Sequence, residues 1–202
     1  MKLTHIIPLI SLATAVYAAP QMFDFKDPKG VNNAVFKLDA PLESINGSAS
    51  DISGTVSFDP ENPAATTGKI VVASDSLTVP NPLQKEHLHG PNWLDTAKYP
   101  EITFETKSLA NVKTEGNVTT ADATGTFTLH GVSKELTVPI KLTYLKDKLS
   151  ARVPNLKGDL LVIRANFGIN REDFNIQKGQ YEDKVSTTID LSLSIAGASV
   201  TK

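Results

Sequence analysis

Residues 133–145 read SKELTVPIKLTYL and hold the steadiest alternation in the chain. Leu136, Val138, Ile140, Leu142 and Tyr144 share one side of an extended backbone, while Thr137, Lys141 and Thr143 share the other. Successive side chains of a strand point to opposite faces, so this spacing predicts a strand with one apolar and one wet face. The same beat continues on either side. Upstream, residues 117–130 set Ala123, Gly125, Phe127 and Leu129 against Thr124, Thr126, Thr128 and His130, and Gly131 starts a tight connection between the two runs. Downstream, Leu161, Ile163, Ala165, Phe167 and Ile169 form one run, and Ile189, Leu191, Leu193 and Ile195 another.

Further out, residues 31–38, 45–58 and 68–79 alternate in the same way, and strands resume at Glu101, where Ile102 and Phe104 face together. About eight strands result, nearly all apolar on one side only. Parallel sheets need helical crossovers and show strands apolar on both sides, so the pattern argues for antiparallel pairing. Such a sheet must cover its apolar face and protect its edges, and closure into an antiparallel barrel does both. A two-sheet sandwich is the alternative. Eight strands mark the size at which a barrel interior is either filled by side chains or holds one small ligand. Gly54, Ala73, Ala123 and Ala165, interleaved among larger apolar groups, are candidates for making that space.

One stretch interrupts the beat. Residues 84–104, QKEHLHGPNWLDTAKYPEITF, begin with good helix formers, and Gly90-Pro91 is expected to end the helix, Gly by accepting the cap conformation and Pro by being unable to continue. Trp93 and Leu94 are large apolar groups in a segment too short to bury them by itself, so they need the sheet. This stretch reads as a lid.

The remaining features bound the function. An apolar share of 40%, a charged share of 21% and a formal net charge of −2 are ordinary for a globular chain, and no basic run suggests nucleic acid. Lys2, the apolar run 6–16 and Val16-Tyr17-Ala18 read as a signal peptide cut after Ala18, which leaves a single mature domain of residues 19–202 and places it in the periplasm. The chain has no cysteine, which excludes disulfides and thiolate chemistry. His87, His89 and Glu86 form a weak metal-like cluster with His130 as a distant fourth ligand, but residues two apart on a helix point to different sides. Arg164, Arg171, Glu172 and Asp173 lie close in sequence near a strand end, where they form either an anion site for a head group or a surface ion-pair cluster of small energetic value. No nucleophile elbow, phosphate loop or metalloprotease motif occurs.

Three stretches in order, EHLHGPNWLDTAKYPEITFET (86–106), GTFTLHGVSKELTVPIKL (125–142) and RANFGINREDFNI (164–176), joined by DISGTVSFDPENP (51–63), resemble the YceI-like, or polyisoprenoid-binding, family of exported bacterial proteins. The likeness covers nearly all of the mature chain. It implies an all-β fold, an extended antiparallel eight-stranded barrel, lipocalin-like in shape, with one or two short helices near the mouth. Where relatives commonly carry an aromatic pair, this chain has Trp93-Leu94.

The resemblance further implies a noncatalytic protein that holds a long isoprenoid or fatty amphiphile as its only bound group, with no metal and no other cofactor. Alternation and resemblance together nominate Phe58, Val72, Leu88, Trp93, Phe104 and Phe127 as interior contacts. Leu129, Leu142, Tyr144, Ile163 and Phe167 complete that set, and Arg164 and Arg171 are the candidate head-group contacts. The expected partners are the lipid itself and a membrane touched transiently during exchange, with the oligomeric state open between monomer and homodimer. A filled barrel serving as an envelope module is the competing reading, and a histidine-based metal protein another.

Overall fold

The computed structural model describes residues 19–201, so the expected signal segment lies outside the described residues. Ten antiparallel strands arise where the sequence alternates: β1 (Gln21–Asp24), β2 (Asn33–Asp39), β3 (Ser44–Ala49), β4 (Ile52–Phe58), β5 (Thr67–Ala73), β6 (Glu101–Glu115), β7 (Val118–Leu129), β8 (Val132–Leu145), β9 (Gly158–Asn170) and β10 (Thr188–Val200). Their order is β1-β4-β5-β6-β7-β8-β9-β10-β2-β3, with β1 also paired to β10. The ring therefore closes. β1 and β2 share one position beside β10, at Asp24↔Ala198 and Asn33↔Ser194 respectively, and β3 and β4 follow each other in the next position. Ten strands thus make an eight-stranded barrel, and the two-sheet sandwich is excluded.

One split position corrects the sequence reading, which runs 45–58 as a single strand; 31–38 stays a single strand as β2, and β1 lies outside the strands the alternation predicts. The break falls at Ser50-Asp51, and Gly54 lies past it, within β4. Its φ is +123°, and a Cβ there would sit 2.0 Å from the Lys69 carbonyl oxygen, so only glycine permits the close approach of β4 to β5. Gly54 serves the close approach of two strands rather than leaving room for a guest. Residues 68–79 are shorter as a strand than expected, because the chain leaves β5 at Ala73 and makes a 3-10 turn at Ser74–Ser76. Ala73, next to the inward Val72, belongs to the opposite face of the strand.

Pro139 shapes the sheet at a point the alternation does not reveal. β8 pairs with β7 along nearly its whole length, from Val132 to Thr143, but with β9 only from Ile140 to Leu145. Proline has no N–H to give a second neighbour, and the β8–β9 ladder ends beside it. Beyond that point the wall is completed by the segment after β9, whose Phe174 ring packs against Phe127 at 5.5 Å and 78°.

Two apolar clusters divide the interior along the axis. One, near the mouth, includes Phe36, Leu38, Leu94, Phe127, Ile169 and Phe174. The other, at the far end, includes Phe23, Phe25, Phe58, Leu142, Leu161 and Ile195. Of the two α-helices among the described residues, α1 (Pro82–His89) caps the mouth, as the expected one or two short helices require, whereas α2 (Leu149–Arg152) joins β8 to β9 at the opposite end.

Candidate functional site

The mouth is built from α1 and the turn that follows. Asn81 caps α1, its side-chain oxygen accepting from the N–H groups of Leu83 (2.9 Å) and Gln84 (3.2 Å), and Pro82 occupies the first turn where no N–H is needed. At the other end Gly90 has an ordinary φ of −70°, so its conformational freedom is not what stops the helix. Pro91 does that. The chain then folds back: the N–H groups of Leu94 and Thr96 donate to the carbonyls of Leu88 and His89, both at 3.1 Å, and turn Leu94 into the barrel, where it is buried.

Histidines fasten this lid. His89 Nε2 donates to the Leu77 carbonyl at 2.7 Å, tying α1 to the rim. His130 Nδ1 donates to the Phe174 carbonyl at 3.1 Å and packs edge-on against Tyr99 at 4.7 Å. One nitrogen of each of these two rings is thus bound to a carbonyl in a different place, and among the described residues no group of three or more His, Cys, Asp or Glu side chains gathers as a metal site would.

Beneath the lid lies a cavity of about 210 Å³. A void needs only roughly 10–15 Å³ to admit one water, so this space is a chamber rather than a packing defect. Its wall is almost entirely carbon. Val72, Phe104, Phe127, Leu129, Leu142, Ile163 and Phe167 contribute from the strands, and Leu88 and Trp93 from the lid. Phe36, Leu38, Ile70, Ile102, Leu191 and Leu193 also line it and are absent from the sequence-based set, although their alternation in β2, β5, β6 and β10 was the available signal.

Phe58 and Tyr144 point inward but do not line the cavity. They form its floor with Phe23: the Phe23 and Phe58 rings lie 6.3 Å apart at 69°, Phe23 and Tyr144 6.3 Å apart at 86°, and Phe58 and Tyr144 5.8 Å apart at 44°. Three rings seal that end. The Tyr144 hydroxyl donates to Asp159 Oδ2 at 2.7 Å, and Asp159 Oδ1 accepts from the Asp147 N–H at 2.7 Å. Burial pushes the Tyr144 phenol up, with the Asp159 hydrogen bond adding to it, to about 12. Burial pulls the Asp159 carboxyl upward as well, but the Asp147 and Tyr144 hydrogen bonds outweigh it and hold the carboxyl below its ordinary range.

Neither arginine is placed to hold a head group. Arg164 lies on the exposed face of β9 and bonds the Ser194 hydroxyl across the outer surface. Arg171 edges the cavity but is only 1% exposed, and its five N–H groups donate to five backbone carbonyls: Ser186 from Nε (3.1 Å), Ile176 (2.8 Å) and Gln177 from Nη1, and Gln180 (2.6 Å) and Val185 (3.3 Å) from Nη2. An arginine has no sixth donor. It is therefore a buried staple for the 175–187 loop, not one half of a surface ion pair.

A second space, about 610 Å³, opens outside the lid and shares Phe36, Leu38, Leu88 and Trp93 with the inner cavity. The sheet explains its position. β3 is hydrogen-bonded to β2 along its length, but on the other side it meets only Thr78, at Ser48, so before Ser48 that edge faces α1 across a gap. Gly47 lets the Phe36 ring lie against β3 there, since a Cβ would fall 2.1 Å from Phe36 Cζ. Glu43, Gln84, Glu86, His87, Gln177 and Lys184 supply polar groups to the outer space, and Tyr181 closes one side with its ring 6.0 Å from that of Trp93. A carbon-lined chamber and a groove of mixed polarity thus lie on either side of the shared side chains Phe36, Leu38, Leu88 and Trp93.

Residues 29–196 match the model of the YceI-like domain. The chain belongs to the YceI-like family. Among relatives of this YceI-like chain, the protein YceI of Escherichia coli is 32% identical over 153 residues, covering 76% of this chain and 73% of that protein. A Yersinia pestis UPF0312 protein is 32% identical over 156 residues, covering 77% and 74%. Solved structures share the YceI-like barrel. Burkholderia cenocepacia BcnA superposes with a TM-score of 0.63 at 20% identity, covering 82% of this chain and 94% of its own. A polyisoprenoid binding domain from Saccharophagus degradans superposes at 0.63 with 12% identity, covering 89% and 99%.

Proposed function

We propose that this protein is a noncatalytic carrier that shelters the hydrocarbon tail of an isoprenoid or similar long-chain amphiphile, keeping it from water in the periplasm for transport, storage or sequestration. The observation that carries the reading is a chamber walled by carbon that lies against a groove bearing polar side chains, with Phe36, Leu38, Leu88 and Trp93 lining both. A tail in the chamber gains roughly 0.8 kcal/mol per buried methylene, and a polar end left in the groove keeps its hydrogen bonds. The structural likeness to a domain described as polyisoprenoid binding supports the choice of an isoprenoid chain. The lipid is the whole of the bound chemistry in this reading; no step of bond making is assigned to any residue.

Protein purified without detergent and extracted with organic solvent is expected to release a long-chain lipid detectable by mass spectrometry. Extracts that hold no lipid, together with no saturable uptake of a prenyl alcohol by the emptied protein, would overturn the proposal. Should the barrel instead be a structural module, its variants with a blocked chamber would keep every property of the parent protein.

A further inference from the structure

We infer that the rim of the outer groove is a membrane-docking surface, with Leu42, Leu83 and Tyr181 entering the interface of a lipid bilayer whose headgroups carry little net charge. The inference rests on the lipid-holding reading above, because a long-chain guest has almost no free concentration in water and has to be collected from a bilayer.

The three residues are among the most exposed large apolar side chains of the described chain, at 67%, 59% and 53%. They are not scattered. Tyr181 itself lines the groove, Leu42 precedes the lining residue Glu43, and Leu83 precedes the lining residue Gln84. The Leu42 N–H donates to the Asp183 carbonyl at 2.9 Å, which joins the 40–43 turn to the Tyr181 loop. Exposed apolar groups held around a groove that shares its inner wall with an apolar chamber cost solvation in water and regain it in a bilayer interface, where tyrosine is also favoured at the headgroup level. The loop is built to hold this position. Arg171 binds the carbonyls on both sides of Tyr181, and the Tyr181 carbonyl accepts from Lys184 (3.0 Å) and Val185 (2.7 Å).

Charge selects the kind of membrane. Around the groove, residues 42–43, 82–89 and 177–185 carry four carboxylates, Glu43, Glu86, Glu182 and Asp183, against three ammonium groups, Lys85, Lys178 and Lys184. A rim of this balance gains nothing from anionic lipid, so attachment comes from the apolar side chains and changes little with salt.

The test is flotation with vesicles of phosphatidylcholine and phosphatidylethanolamine at low and high salt. It compares the parent protein with Leu42→Ser/Leu83→Ser and with Val31→Ser/Leu156→Ser, which alters exposed apolar residues near α2, away from the mouth. The parent and the control are expected to float alike at both salt concentrations, and the rim variant to lose about tenfold or more in bound fraction. In parallel, emptied proteins are loaded with geranylgeraniol added from ethanol, which bypasses the membrane; the rim variant should load as the parent does, since neither leucine lines the cavity or the groove. Equal flotation of parent and rim variant, absent flotation of the parent, or flotation that needs anionic lipid and vanishes in salt would each overturn the inference. So would a parent dimer in sedimentation that the rim variant dissolves without any vesicle binding, which assigns the surface to a second copy. If the parent does not take up geranylgeraniol at all, the lipid-holding reading fails separately, and flotation alone decides the surface.

Discussion

Tyr144 and Asp159 face each other from neighbouring strands of the barrel floor, the phenol donating to Asp159 Oδ2 at 2.7 Å. Each partner shifts away from its unfolded value, and the shifts fix where in pH the pair stabilises the fold. Asp159 is lowered in the folded protein, so its contribution is complete above the ordinary carboxyl value of about 3.9 and is lost as pH falls through the lower folded value. Tyr144 is raised to about 12, so its contribution is complete below the ordinary phenol value of about 10 and is lost as pH rises through about 12. Tyr144→Phe is expected to cost about 1 kcal/mol at neutral pH and to reduce the alkaline loss of stability, measured by urea unfolding across pH. An unchanged alkaline profile would show that the pair does not govern it.

Arg171→Met leaves five carbonyls of the 175–187 loop without their donors. Water can reach some of them, so the expected destabilisation is about 2–4 kcal/mol rather than the sum of five lost bonds. Arg171→Lys restores only part of it, because an ammonium has three donors and no planar fork. Trp93, the only tryptophan in the chain, reports the change directly. Its emission should shift to the red in the Met variant as Tyr181 moves from beside it.

Ala123 is buried on the cavity wall, and the next residue along β7, Thr124, has its hydroxyl against that of Thr137 on the outer face, at 2.9 Å. Ala123→Phe should fill the chamber and lower prenyl alcohol uptake by about tenfold or more, at a stability cost of about 1–3 kcal/mol. Thr124→Phe should leave uptake as it was. Equal uptake by both variants would show that the chamber is not where the guest sits.

Asn81→Ala removes the cap of α1 and is expected to cost about 1 kcal/mol. Since α1 covers the cavity without lining much of it, the effect on a bound prenyl probe should appear as faster release with little change in capacity, followed through Trp93 fluorescence after dilution into empty vesicles.

Gly54→Ala places a methyl group 2.0 Å from the Lys69 carbonyl oxygen at a φ of +123°. Both faults act where β4 lies against β5, and a loss of about 2 kcal/mol or more is expected in thermal or chemical unfolding. A neutral result would mean that β4 relaxes freely at this point.

The facing of most strands and their antiparallel pairing were legible in the sequence, though not β1 or the break between β3 and β4, because a period of two is a local property: Leu136, Val138, Ile140 and Leu142 declare one inner face whatever surrounds them. Most of the carbon wall followed from that, Val72, Phe127 and Ile163 included. Depth along the axis is not local. Phe58 and Tyr144 alternate as faithfully as Phe104 and Phe127, yet the register of the closed sheet sets the first pair in the floor and the second beside the chamber. The arginines make the same point for charge. Their closeness in sequence suggested one anion site, but Arg164 ends on the outer face and Arg171 is buried, its donors spent on a loop that curls around it. What the sequence alone determined was which side of each strand avoids water; where the barrel is filled, where it stays hollow and where it opens were decided by strand register, by Pro139 and by the β3 edge, because each depends on segments far apart in the chain meeting at one height.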